Sequence, residues 1–137
     1  MATPLTKPSD LTPSNIKKAQ VIAISELIEE EVTLLIDRTT VTCFASYCPH
    51  EIKAGEFYEV ELTLNLAEYY DVQKSYSAEA YAERKNDSFS YVLHGLLHKN
   101  SFETFTSLND EGIHYDHPDL NGEFIMVTVE RIDAAFL

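Results

Sequence analysis

The chain has 137 residues, of which 45% are hydrophobic, and its 23 acidic against 10 basic residues give a formal net charge of −13. This size and apolar content predict one folded domain and exclude a wholly disordered chain. The charge argues against binding to nucleic acid or anionic membranes, because both interactions depend on Lys and Arg. No apolar run is long enough to span a bilayer, and no secretory signal opens the sequence, so a cytoplasmic location is expected.

The first residues differ in amino-acid composition from the remainder of the chain. Residues 1–15 contain three of the five prolines, with Ser and Thr between them, which predicts a flexible lead-in. One β-rich domain is expected over residues 16–137. The acidity belongs to this body, because residues 1–20 carry three lysines and a single aspartate. The alternative explanation is that such a charge serves solubility alone.

Short β-branched or alternating segments predict strands along most of the body. The predicted strands cover residues 19–24, 31–36, 41–45, 57–66, 89–98, 101–107 and 123–133. The clearest one runs from Phe57 to Leu66, because apolar and polar residues alternate regularly from Tyr58 onward. In the last one, Ile125, Val127 and Val129 are expected to face inward.

Residues 67–85 are rich in Ala, Glu and Tyr and lack Gly and Pro. Tyr69, Val72, Tyr76 and Ala80 recur at spacings of three and four, which predicts a helix with one apolar stripe. The expected fold is therefore mainly β, a barrel or sandwich with one helix between strands. In architecture alone this order resembles the Greek-key barrel of oligonucleotide/oligosaccharide-binding (OB) proteins.

No arrangement typical of an enzyme stands out. The four glycines are isolated, so neither a Gly-rich phosphate loop nor a Gly-x-Ser-x-Gly nucleophile turn is present. Two cysteines make no disulfide framework, and Cys43 is expected to be a buried hydrophobe. A binding protein is favoured over an enzyme.

Tyrosines and carboxylates alternate within residues 67–85. Tyr offers a large contact area with a polar tip, and carboxylates attract basic proteins. The predicted partner-binding residues are Tyr69, Tyr70, Asp71, Tyr76, Glu79, Tyr81 and Glu83. The leading hypothesis is a non-catalytic inhibitor or immunity-type protein that occludes a basic partner. The alternative is that half of these tyrosines cap the core.

A loop near the end of the chain offers a different function. Its His-x-x-His spacing and nearby carboxylates could hold a divalent metal such as zinc, through His114, Asp116, His117 and Asp119. The protein would then be a metal-binding domain or a metal-dependent enzyme. The alternative for this stretch is a solvated turn, with no cofactor.

Two further predictions concern strand positions. His94 and His98 should project from one side of their strand, onto a wet face or a barrel mouth. A free sheet edge at residues 41–45 would allow a third function, as a structural β-barrel subunit that pairs across a two-fold axis. Both a monomer and a homodimer remain open.

Overall fold

The computed structural model describes residues 14–110 and 112–137, so nearly all of the predicted lead-in lies outside the described residues. The described chain is mostly β-strand. The strands are β1 (Ile16–Ile24), β2 (Glu31–Ile36), β3 (Thr39–Tyr47), β4 (Phe57–Asn65), β5 (Val72–Lys74), β6 (Tyr81–Arg84), β7 (Tyr91–His98), β8 (Ser101–Glu103), β9 (Ser107–Asn109), β10 (Phe124–Val129) and β11 (Arg131–Phe136). One α-helical turn, α1 (Ile113–Asp116), and a 3₁₀ turn (Pro118–Leu120) lie between β9 and β10. None of the helices in residues 14–110 and 112–137 has the length and apolar content that a membrane-spanning helix requires.

Sheet A is a closed ring in the order β1-β2-β3-β11-β4, in which β4 pairs back onto β1. The first four strands have the spatial order 4-1-2-3, which defines a Greek key. Strand β11 inserts between β3, to which it is parallel, and β4, to which it is antiparallel. The predicted mainly β architecture is confirmed.

Alternation along the strands of sheet A follows the sequence pattern. Val60 and Leu62 of β4 are fully buried, whereas Glu59 and Glu61 are exposed. Side chains of a strand point alternately to its two faces, so this pattern places one face on the core and the other in water. Cys43 of β3 is also fully buried, as predicted. This burial, and to a lesser extent the charge of Asp133, raises the pKa of the Cys43 thiol to about 12.

Sheet B has the order β5-β10-β7-β8-β9, and β6 pairs along β7. Ile125, Val127 and Val129 of β10 are fully buried, so their predicted inward direction is confirmed. The predicted strand over residues 123–133 is divided at Glu130, where the chain leaves sheet B for sheet A.

The helix predicted over residues 67–85 is wrong. That region contains the short strands β5 and β6, in which Val72 pairs with Val127 and Tyr81 with His94. The predicted apolar stripe does not form one buried face, because Tyr69 and Tyr76 are 90% and 97% exposed whereas Val72 packs against the core. Sheet pairing overrides a weak local preference, and Ser75 and Ser77 had already lowered that preference.

Two predictions about strand edges also need correction. The strand predicted over residues 101–107 turns back on itself as β8 and β9, with the Thr104 N–H donating to the Thr106 carbonyl oxygen at 3.1 Å. No free edge exists at residues 41–45, because β3 lies between β2 and β11. The homodimer contact proposed for that edge is therefore removed.

The two sheets contribute to one cluster of buried hydrophobic side chains. The buried Thr42 N–H in sheet A donates to the Tyr91 hydroxyl in sheet B at 2.7 Å, and the rings of Phe44 and Phe89 meet edge to face. Asn109 N–H donates to the Asn15 side-chain oxygen at 2.8 Å. The single domain over residues 16–137 stays a prediction, and these contacts are those expected of it.

Candidate functional site

The chain between β9 and β10 is organised around Asp110. Its carboxylate is 7% exposed and accepts the backbone N–H groups of Ile113 at 3.0 Å and His114 at 2.8 Å. The His114 ring also donates from Nδ1 to Asp110 Oδ2 at 2.6 Å. Unpaired N–H groups at a helix start need such acceptors, so Asp110 fixes the first turn of α1 and the His114 ring together.

Tyr70 connects this helical turn to the segment that leads into β5. Its hydroxyl donates to Asp116 Oδ2 at 2.8 Å, and its ring packs edge to face with His117, with centroids 5.7 Å apart. Burial raises the pKa of Tyr70 above its ordinary value, and the hydrogen bond to Asp116 and the charges of Asp116 and Asp110 raise it further. Burial disfavours the charged tyrosinate, and ionisation would also add a third negative charge beside two carboxylates.

The predicted metal ligands have other partners. His114 is bonded to Asp110, whereas Asp116 and His117 contact Tyr70. Asp119 is exposed in the 3₁₀ turn. Across residues 14–110 and 112–137, no group of three or more His, Cys, Asp or Glu side chains is arranged to hold a metal ion. The zinc hypothesis gains no support from this geometry.

The predicted partner-binding residues divide among three places. Tyr70 contacts α1, with the exposed Tyr69 and Asp71 on either side of it in the chain, whereas Tyr81 and Glu83 lie on β6. Tyr76 and Glu79 are exposed between β5 and β6. The residues predicted to form one tyrosine-rich face over 67–85 therefore lie in three groups.

On β6, the Tyr81 ring stacks on His94 with centroids 4.1 Å apart and planes at 7°. His94 Nε2 lies 3.4 Å from Glu83 Oε1, while its Nδ1 is buried and has no hydrogen-bond partner in the described structure. The predicted wet face holds for His98, which is exposed, but not for His94, which is 6% exposed. Tyr81 covers the His94 ring and accounts for part of this burial.

The hydrogen bond between Tyr70 and Asp116 brings two separately predicted segments onto one part of the surface. Tyr69 is 90% exposed and Tyr115 is 76% exposed. We define the acidic–tyrosine surface as Tyr69, Asp71, Tyr115, Asp116 and Asp119, all of which are exposed. Tyr115 was not among the predicted site residues, although it follows His114 directly. The role of Asp110 was also missed, although it lies four residues before His114, one helical turn away.

A cavity of about 320 Å³ opens beside Asp110, between β4 and the β9–α1 connection. Its lining residues include the apolar Leu64, Leu108 and Ile113 and the acidic Glu61 and Asp110. A long side chain with an aliphatic stem and a positive end, such as Lys or Arg, has the matching chemistry.

The similarity of the chain to known proteins covers the body but gives no activity. None of the curated proteins compared with it is similar enough to be a match. Both sheets and the acidic–tyrosine surface lie within residues 16–137, the range matched by one family model. The chain thus belongs to the family described as Uncharacterised conserved protein UCP019853.

Proposed function

We propose that this protein is a non-catalytic binding protein that docks a basic partner protein through the acidic–tyrosine surface. The observation that carries the proposal is the hydrogen bond from Tyr70 to Asp116. This bond joins the two segments that carry the exposed Tyr69 and Tyr115 and several carboxylates. Neither tyrosine is part of the core. Tyrosine is over-represented where proteins bind one another, and carboxylates favour a positively charged partner.

The charge of the whole chain supports the same partner class. A net charge of −13 on 137 residues accelerates association with basic proteins and repels phosphate backbones. In the specific form we propose, the partner is a basic enzyme whose active site is covered, as by an inhibitor or immunity protein. The cavity at Glu61 and Asp110 would receive a Lys or Arg side chain of that partner.

The test compares three forms of the tagged protein as baits in an extract of the source cells. The forms are the unchanged chain, the double variant Tyr69→Ala/Tyr115→Ala, and Tyr47→Ala, which removes another exposed tyrosine, on β3. We expect the unchanged chain and the control to capture the same strongly basic proteins, and the double variant to capture about tenfold less. Capture should also fall as NaCl rises from about 0.05 M to about 0.5 M, since the Debye length shortens.

A second pair of variants tests the cavity. Glu61→Gln removes a lining charge, and Glu59→Gln removes an exposed charge from the same strand outside the cavity lining. Affinity for the captured partner should fall more for Glu61→Gln. Capture of acidic proteins, or equal capture by the double variant and the control, would contradict the proposed function.

A further inference from the structure

We infer that the connection between β1 and β2 is a second docking element, which inserts Leu27 and Ile28 into an apolar groove bordered by Lys or Arg on a partner protein. We call residues 22–31 the β1–β2 tip. It shares no residue with the acidic–tyrosine surface, so this inference does not depend on the function proposed above.

Exposed aliphatic side chains are concentrated in the tip. Leu27 is 95% exposed, and Ile22, Ile24 and Ile28 are 45%, 39% and 44% exposed. Single exposed aliphatic residues are ordinary, but four of them within residues 22–28 are a concentration typical of an interaction site. Covering such side chains on binding contributes about 25 cal/mol for each Å² of apolar surface removed from water.

The tip is held in place by hydrogen bonds although its apolar side chains face solvent. The Ser25 hydroxyl accepts the N–H groups of Leu27 at 3.2 Å and Ile28 at 3.0 Å. The Ser25 N–H donates to the Glu31 carbonyl oxygen at 3.1 Å, and the Glu31 N–H donates to the Ile28 carbonyl oxygen at 3.1 Å. A connection fixed in this way loses little conformational entropy when it binds, which favours affinity.

A backbone hydrogen bond to β3 anchors the tip to sheet A, and a bulge in β1 lies at its start. The Ala45 N–H on β3 donates to the Glu30 carbonyl oxygen at 2.7 Å. The β1–β2 register shifts between Val21 and Ala23, so Ile22 is the extra residue of a bulge. A bulge redirects a side chain from its normal position in the strand, and here Ile22 is left exposed.

The charges around the tip select the partner. Glu26, Glu29 and Glu30 are exposed, Glu31 is half-buried, and no Lys or Arg occurs between Ala19 and Asp37. Pairing with a second copy of the chain would bring two sets of these glutamates together, and like charges in an interface cost free energy. A partner with basic residues around an apolar groove complements both the exposed aliphatic side chains and the glutamates of the tip. Such a partner is therefore favoured over a second copy of the chain.

The test uses three synthetic peptides of equal length. The first is amphipathic and cationic, built from Leu and Lys; the second replaces its Leu by Ser; the third replaces its Lys by Glu. Each is titrated into the full-length protein while backbone amide shifts are followed by NMR. We expect the first peptide to bind at least about tenfold more tightly than the others and to shift the Leu27 and Ile28 amides.

Leu27→Ser/Ile28→Ser should weaken that binding about tenfold, whereas the control Ile16→Ser, at another exposed position of β1, should leave it unchanged. Both serine variants should keep well-dispersed amide spectra, because they change exposed side chains. Equal binding of the Ser–Lys peptide, or shifts confined to Tyr69 and Tyr115, would overturn the inference. So would a concentration-dependent dimer that the Leu27/Ile28 variant abolishes, since it would identify a second copy as the occupant. If Tyr69→Ala/Tyr115→Ala loses its partner while peptide binding at the tip persists, the two surfaces act independently.

Discussion

At the scale of single residues, the Tyr70 hydroxyl is the point where the two predicted sites meet. It donates a hydrogen bond to Asp116, which lies 46 residues further along the chain. The negative charge of Asp110 also raises its pKa. Its environment therefore disfavours ionisation, and the proton of this hydroxyl is part of what holds α1 against the β5 segment. Loss of that proton would remove the donor of the hydrogen bond and add repulsion.

We predict that Tyr70 is among the last tyrosines to ionise. Its pKa in the folded protein lies above the ordinary 10.0, so the folded state holds this proton more tightly than the unfolded chain. The stability it contributes is present below that ordinary pKa and is lost as the pH rises through the raised one. Tyr70→Phe should remove a late step from the tyrosinate absorbance titration, because the raised pKa belongs to this hydroxyl. Loss of an early step in this variant would contradict the assignment.

Composition and spacing could predict which segments carry the site but not how they join. Tyr69 to Asp71 and His114 to Asp119 were both singled out, because tyrosines, histidines and carboxylates are concentrated there. The bond between Tyr70 and Asp116 depends on the tertiary fold, which brings distant parts of the chain together. Asp110 could have been found from its spacing to His114, had a helical turn been expected there.

At the scale of elements, strands with clear alternation were predictable and weakly patterned ones were not. Residues 31–36 form β2 as predicted, and β4 ends one residue before its predicted limit. The helix prediction for residues 67–85 failed because the sequence of this segment alone does not show that β10 and β7 are available to pair with β5 and β6. Propensity is a weak guide where such partners exist.

We predict that Gly95→Ala destabilises the protein by about 2–3 kcal/mol, because overpacking a buried site forces its neighbours to move. A Cβ at Gly95 would clash with the Glu103 carbonyl oxygen and lie 2.8 Å from Thr104 Cα, where β8 turns across β7. Gly112→Ala is the matched control, because a Cβ there would have no heavy atom within 4 Å apart from those of its chain neighbours. The measurement is urea-induced unfolding of both variants. Equal unfolding midpoints would contradict the prediction, because they would show that the turn after β8 shifts at little cost.

At the scale of the whole molecule, the net charge of −13 sets how the fold responds to salt. Ion pairs that offset it are few in the described part of the chain, where Lys74 lies 3.3 Å from Glu123 and Arg131 lies 2.7 Å from Asp133. Repulsion among unbalanced carboxylates destabilises the compact state more than the unfolded one.

We expect the Tm to rise when NaCl is increased from about 0.01 M to about 0.1 M, as the Debye length falls from ~30 Å to ~10 Å. KCl at the same concentrations should give the same rise, since screening depends on ionic strength. Differential scanning fluorimetry measures both. A fall in Tm would show that exposed ion pairs contribute more than the repulsion.

The place of β11 in the ring has a consequence for synthesis on the ribosome. Strands β3 and β4 are made early, but each keeps an unpaired edge until Arg131–Phe136 lies between them, after the whole of sheet B has been translated. Unpaired edges are the surfaces at which nascent chains associate wrongly. The ring cannot be completed strand by strand as the chain emerges, so protection of the β3 and β4 edges during translation is a requirement built into this topology.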